Sequence, residues 1–165
     1  MFYERIFRKL SEKKVRYAVT GGVALVLHGV VRFTADLDLI VDLDSKNLEN
    51  FIAVIKELGF KPRVPVQTDD FLNPELRAQW YTEKNMIVFT FYNPEREIEE
   101  IDIFIKEPFP FSEIEKEIVW FKVKDMTIPV VSKKHLKSLK ALSKRPQDMA
   151  DIKALEELEK IEEAE

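Results

Sequence analysis

The residues of this sequence whose types and spacing could do chemistry are Thr20-Gly21-Gly22, then Asp36 and Asp38 beyond an apolar stretch, then Asp102 in a second acidic segment. Glycines lack a Cβ, so Gly21 and Gly22 let a phosphate approach the backbone. A helix starting there turns its N-terminal N–H groups and dipole toward that phosphate. Thr20 adds a hydroxyl donor. Carboxylates at positions i and i+2 of a strand point to the same side, about 6.5 to 7 Å apart along the backbone. Burying such like charges together is costly, so Asp36 and Asp38 invite a cation. Mg²⁺ is the natural one, with Mn²⁺ as the alternative, because it takes carboxylate oxygens and keeps positions for water and phosphate. A triphosphate spanning the glycine turn and metal on these aspartates suits hydrolysis or transfer at phosphorus, which two metals about 3.5 to 4 Å apart promote.

The elements that must position these groups are readable as patterns. Phe2, Ile6, Phe7 and Leu10 lie at helical spacing in a segment from Phe2 to Lys13. Val15 to Val19 reads as a buried strand, the glycines as a turn, and Val23 to Leu27 as a helix. Asp36 to Asp42 alternates with period two, with Leu37, Leu39 and Val41 opposite Asp36, Asp38, Ile40 and Asp42. A helix capped by Asp44 or Ser45 should run to about Leu58 and stop at Gly59. Pro62 and Pro65 make the segment from Phe60 to Val66 an edge or irregular strand.

Further along, Asn73-Pro74 should open a helix through about Lys84. Met86 to Tyr92 and Glu99 to Ile105 read as strands, the second with Ile101, Ile103 and Ile105 opposite Glu100, Asp102 and Phe104. Ser112 and Glu115 predict a capping box on a short helix. Two strands, Ile118 to Val123 and Thr127 to Val131, precede a helix capped by Ser132 and a last helix beginning at Pro146 and fraying into the acidic tail. The expected fold is α+β: one domain over residues 1–165, a mixed β-sheet flanked by helices, and a C-terminal helical segment over 132–165.

Composition narrows the function classes. With 165 residues, 45% hydrophobic and 34% charged, the chain reads as a soluble globular protein able to bury a core, not a disordered or membrane one. No apolar run approaches a membrane span and no signal-peptide core opens the chain, so the expected location is cytoplasmic. The absence of cysteine excludes disulfides, thiolate ligands and a cysteine nucleophile, and two histidines leave a His-rich zinc site improbable. Any metal should therefore be held by oxygen. The net charge of −4 combines a basic segment from Lys122 to Arg145 with an acidic tail, which disfavours extensive contact with nucleic acid.

The hydrophobic residue, Gly-Gly and Asp-x-Asp order, with thirteen residues between Gly22 and Asp36, resembles the nucleotidyltransferase superfamily related to DNA polymerase β. The string from Val19 to Val41, VTGGVALVLHGVVRFTADLDLIV, looks most like small stand-alone AbiEii-type and minimal nucleotidyltransferases. The run from Ser132 to Leu155, with Lys140, Arg145-Pro146, Asp148 and Asp151, is similar to a segment those proteins carry late in the chain. The resemblance implies metal on Asp36 and Asp38 and a third carboxylate on a later strand, acting toward an acceptor hydroxyl. Asp102 matches by strand position and alternation, with Glu100 and Asp42 as alternatives. It also implies a nucleoside triphosphate as one partner, an acceptor that is a small molecule, a protein or a tRNA, and an antitoxin partner as an option. Gly22 stands where many relatives have serine, so a hydroxyl contact is lost there and Thr20 or backbone donors must replace it.

Other residues have two readings each. Arg32, Thr34, Lys137 and Lys140 could neutralise or bind phosphate, or lie on solvated faces. His28 reads as a packed helix-end residue, Arg145 with Asp148 and Asp151 as a lock between the last two helices, and Trp80, Tyr81 and Trp120 as packing residues. The leading function is a metal-dependent nucleotidyltransferase, with Thr20, Gly21, Gly22, Arg32 and Lys140 on the nucleotide and Asp36, Asp38 and Asp102 as the catalytic and metal-binding set. The alternatives are a non-catalytic nucleotide- or metal-binding module of the same fold and a structural protein with a solvated acidic strand.

Overall fold

The structure, a computed structural model, describes residues 3–165; the helical position expected for Phe2 lies outside them. Helix α1 (Tyr3–Glu12) buries Ile6, Phe7 and Leu10, as its periodicity predicts, and Tyr3 besides. Strand β1 (Tyr17–Thr20) runs directly into α2 (Gly21–His28), so the first motif glycine is also the first helical residue. Gly29, at φ 113°, ends α2 in the left-handed conformation that costs glycine least. A loop over 30–36 leads to β2 (Leu37–Val41). Asp36 therefore lies one residue ahead of the strand, where the alternation placed it inside.

Helix α3 (Ser45–Glu57), the short β3 (Lys61–Pro62) and a 3₁₀ turn (Thr68–Leu72) follow; the 3₁₀ turn had no clear sequence signal. Asn73 caps α4 (Pro74–Lys84), its side chain accepting from the Glu75 and Leu76 amides. Strands β4 (Val88–Asn93) and β5 (Arg96–Phe104) form a hairpin, then come α5 (Phe111–Lys116), the hairpin of β6 (Val119–Val123) and β7 (Met126–Val130), α6 (Lys133–Ser143) and α7 (Pro146–Ala164).

Two local expectations need correcting. Helix α5 starts at Phe111 after Pro110 and has no side-chain cap; Glu115 is drawn off by Arg16, at 2.7 Å, instead of closing a box with Ser112. The last helix does not fray at its acidic end but continues to Ala164. Lys137 meets Glu159 at 2.9 Å and Lys133 pairs with Glu162, so α6 neutralises part of that acidity.

Among the described residues, seven strands make one mixed sheet in the order β3-β4-β5-β2-β1-β7-β6. β2 pairs antiparallel with β1 and parallel with β5, and β1 pairs parallel with β7. The proline-bearing β3 occupies an edge, as a strand lacking an amide donor must. Leu37, Leu39 and Ile40 of β2 are fully buried, so acidity is confined to the strand's entrance and its far end, where Asp42 pairs with Arg16. Phe71, Phe89 and Phe91 pack as a ring cluster with centroids 5.0 to 6.1 Å apart, and Trp80 stacks on Phe89. Such packing makes the central strands a rigid base for their polar ends.

Candidate active site

Strand register assembles the site. Thr20 of β1 lies opposite Asp38 of β2, Asp38 lies beside Asp102 of β5, and Asp102 lies opposite Thr90 of β4. Residues in register on adjacent strands share a face, so four polar residues form one row across four strands. Thr90 Oγ1 donates to Asp102 Oδ1 at 2.5 Å. Thr90 has little local signal in the sequence, being a hydroxyl residue between Phe89 and Phe91 of β4.

The glycines meet this row end-on. Gly21 has φ +65°, and a Cβ placed there would stand 2.1 Å from Asp38 Oδ2. Both backbone conformation and space therefore demand glycine. The Gly22 amide favours the charged form of the Asp38 carboxylate, and the space a Gly21 Cβ would fill is taken by that carboxylate, so the first turn of α2 and the acidic strand lie against each other. Thr20 is buried at the N-cap position, but its side chain makes no capping bond to α2.

Asp36 is positioned from α1: the Tyr3 phenol donates to the carbonyl of Ala35, the residue just before it. That contact joins residues 32 apart in the chain and has no signature in local pattern. Burial raises the Tyr3 phenol well above its ordinary range, and the neighbouring charges of Asp36 and Asp38 add to it.

The three aspartates are electrostatically coupled. Burial, reinforced by Asp102 and Asp36, pushes the Asp38 carboxyl up to about 7, while Lys140 and the Gly22 amide pull the other way. Burial and then Glu100 raise Asp36. Burial also raises Asp102, against the Thr90 hydrogen bond, with Asp36 and Glu100 contributing. Glu100 itself is paired with Arg63, whose guanidinium lies 4.0 Å from the centre of the Tyr92 ring. Asp42, at the opposite end of β2, faces Arg16. Among the described residues, no three His, Asp or Glu side chains are grouped closely enough to hold a metal ion by themselves.

The basic candidates converge on the last helix. Arg32 Nη1 lies 2.7 Å from Asp151 Oδ2, and Lys140 Nζ lies 3.1 Å from the same oxygen and 3.4 Å from Asp148. Arg32 is thus directed at α7 and not at the glycine turn, while the charge of Lys140 is felt at Asp38. Arg145 Nε holds Asp148 at 2.9 Å, locking the α6–α7 corner. His28 Nε2 lies 2.8 Å from the Val131 carbonyl with its ring edge-on to Phe121, an anchoring position at the end of α2. Trp80 belongs to the core, Lys106 sits over the Tyr81 ring, and Trp120 is exposed on the far edge strand β6.

No protein-family model and no curated protein matches the sequence. The fold, in contrast, has solved counterparts. The lincosamide antibiotic adenylyltransferase LnuA, with lincomycin bound, superposes at a TM-score of 0.62 over 95% of this chain and 94% of that one, with 20% identity. The chain has the nucleotidyltransferase fold. ANT(2″)-Ia in complex with adenylyl-2″-tobramycin gives 0.59 at 13% identity, covering 99% of this chain and 94% of the other. A putative nucleotidyltransferase from Thermotoga maritima gives 0.53 at 16% identity over the same shares. At these identities the likeness is one of backbone architecture. Within the nucleotidyltransferase fold seen here, the helix start, the loop over 30–36 and the Asp38–Asp102 register are brought to one end of the sheet.

Proposed function

We propose that the protein is a metal-dependent nucleotidyltransferase that moves a nucleoside monophosphate from a nucleoside triphosphate to an acceptor hydroxyl. The observation that carries this reading is the side-by-side register of Asp38 and Asp102 against the glycine start of α2. Three half-buried carboxylates whose proton affinities are all raised, by burial first and by neighbouring carboxylates second, are a donor set suited to Mg²⁺ or Mn²⁺. That no closed cluster is found among the described residues is consistent with an ion completed by substrate phosphate and water. Asp36, Asp38 and Asp102 would hold the metal, which supplies charge neutralisation at the phosphates and polarises the reacting phosphoryl group.

The chain's own residues do the rest. Thr20 and the N-terminal end of α2 receive the triphosphate. Arg32 and Lys140 supply positive charge from the α6–α7 side. Asp102, oriented by Thr90, accepts the proton of the acceptor hydroxyl as its oxygen attacks the α-phosphorus and the bond to the pyrophosphate oxygen breaks. Catalysis is then mainly positioning and charge placement.

A small-molecule hydroxyl is the acceptor class with the most support, because two structures of similar fold are an antibiotic adenylyltransferase and a complex with adenylylated tobramycin. A net charge of −4 weighs against extended tRNA contact; a protein hydroxyl fits the same chemistry. The AbiEii-type grouping and an antitoxin partner rest on the sequence resemblance alone. Incubation with each labelled triphosphate, Mg²⁺ and an acceptor panel or cell extract tests the reading. Pyrophosphate release with labelled acceptor is expected from the native chain and not from Asp36→Ala, which should fold normally; turnover retained in that variant would overturn the assignment.

A further inference from the structure

We propose that Thr34 supplies the hydroxyl that holds the triphosphate from the loop side, in the space that glycine at position 22 leaves open. This rests on the transfer reading above and names a binding residue for it. A Cβ placed on Gly22 would stand 2.4 Å from Thr34 Oγ1 and 2.8 Å from Thr34 Cβ. Gly22 is not among the glycines with positive φ, so its backbone does not require glycine; the Thr34 side chain does.

The two motif glycines are therefore separate clearances. Gly21 makes room for the Asp38 carboxylate, and Gly22 makes room for the Thr34 hydroxyl, both delivered from downstream onto the first turn of α2. Among the described residues the Thr34 hydroxyl has no hydrogen-bond partner. It is half-buried, two residues from Asp36 and two from the tethered Arg32. A β-branched side chain wedged against the helix start has little rotamer freedom, so the hydroxyl is held ready for an anionic oxygen. Thr20, which shares the turn, sits in the strand row opposite Asp38, so the two hydroxyls reach the glycines from different elements.

The test uses the full-length chain with Mg²⁺ and two probes, inorganic tripolyphosphate and each of the four nucleoside triphosphates, followed by calorimetric titration. Thr34→Val keeps the shape and removes the hydroxyl; it should bind about tenfold more weakly, the usual scale for a hydrogen bond to a charged group. Thr34→Ser should bind within about twofold of the native chain, on the same hydrogen-bond scale, and thermal melts of both variants establish that the fold is kept.

A swap adds a readout that general loosening cannot imitate. Gly22→Ser alone drives a side chain into Thr34 and should weaken binding. Alanine at 34 would not relieve this, since Thr34 Cβ is itself too near, whereas Gly22→Ser with Thr34→Gly moves the hydroxyl onto the helix and should recover affinity over Thr34→Gly alone. Gly22→Ala with Thr34→Gly, which restores bulk only, should not. Native affinity in Thr34→Val, or equal recovery in the alanine swap, would overturn the proposal while leaving the transfer reading intact. A native chain that binds neither tripolyphosphate nor any triphosphate would overturn both.

Discussion

Arg32 and Asp151 stand 119 residues apart in sequence and 2.7 Å apart in space, so the last helix holds the loop that enters the acidic strand. Asp151 is almost fully buried and also meets Lys140 at 3.1 Å and the Gln147 amide at 2.9 Å. Replacing it with alanine removes the Arg32 ion pair and leaves Lys140 with Asp148 alone. Asp151→Ala should lower stability by about 3 kcal/mol, the scale for breaking a buried pair by removing one partner. Asp151→Asn, which keeps the size and some hydrogen bonding, should cost less. Urea denaturation gives the midpoints, and a raised KM for the triphosphate in Asp151→Asn at unchanged melting temperature would mark the positioning of Arg32 and Lys140.

The Asp38 carboxyl sets a pH dependence with a definite sign. Its ordinary value of 3.8 is raised to about 7 in the folded protein, so between these limits the native state binds more protons than the unfolded chain. Stability in metal-free buffer should therefore fall as pH rises across that window, with a slope of at most about 1.4 kcal/mol per pH unit from this group. Asp36 and Asp102, also raised, act in the same direction. Asp38→Asn should flatten the slope, melt above the native chain at pH 8 without metal, and lose transfer. Adding Mg²⁺ at pH 8 should raise the melting temperature of the native chain and barely move that of the variant.

The parts of the site legible in sequence are those set by neighbours in the chain. Gly21-Gly22 and Asp38 in a strand declare themselves through local spacing, although the helix read from Val23 in fact starts at Gly21, and Asp102 declares itself through alternation in β5. Even Pro62 announces its edge strand, because a missing amide is a local property. What stayed hidden depends on register and tertiary approach. Nothing near Thr90 says that β4 will place it beside Asp102, and nothing near Tyr3 points to the Ala35 carbonyl. Arg32 reads as a phosphate candidate, but its partner lies on the last helix, and nothing near Gly22 says that Thr34 will lie against it. The Ser112–Glu115 box failed for the same reason, since Arg16 competes for Glu115 from a distant element.

Thr90 tunes Asp102 through one hydrogen bond at 2.5 Å. A donor to a carboxylate favours its charged form, so the bond lowers a proton affinity that burial raises. Thr90→Val keeps the shape of the buried side chain and removes the donor. If Asp102 accepts the proton of the acceptor, the ascending limb of the pH–rate profile should move to higher pH by about one unit, given the energy of a hydrogen bond to a charged group. The plateau rate at high pH should change far less. An unmoved limb would detach Asp102 from proton transfer.

Gly21 and Gly59 form a matched pair for isolating the contact with Asp38. Both have positive φ, +65° and +79°, so alanine at either position carries a similar backbone penalty of about 1 kcal/mol. Around Gly59 an added Cβ would meet nothing within 4 Å, whereas at Gly21 it would stand 2.1 Å from Asp38 Oδ2 and 2.7 Å from its carboxyl carbon. Gly59→Ala should thus lose about 1 kcal/mol and keep its turnover. Gly21→Ala should lose more and abolish transfer, because the Asp38 carboxylate must leave its place beside the Gly22 amide. Denaturation midpoints and transfer rates of the two variants, measured side by side, separate the backbone cost from the displacement of Asp38.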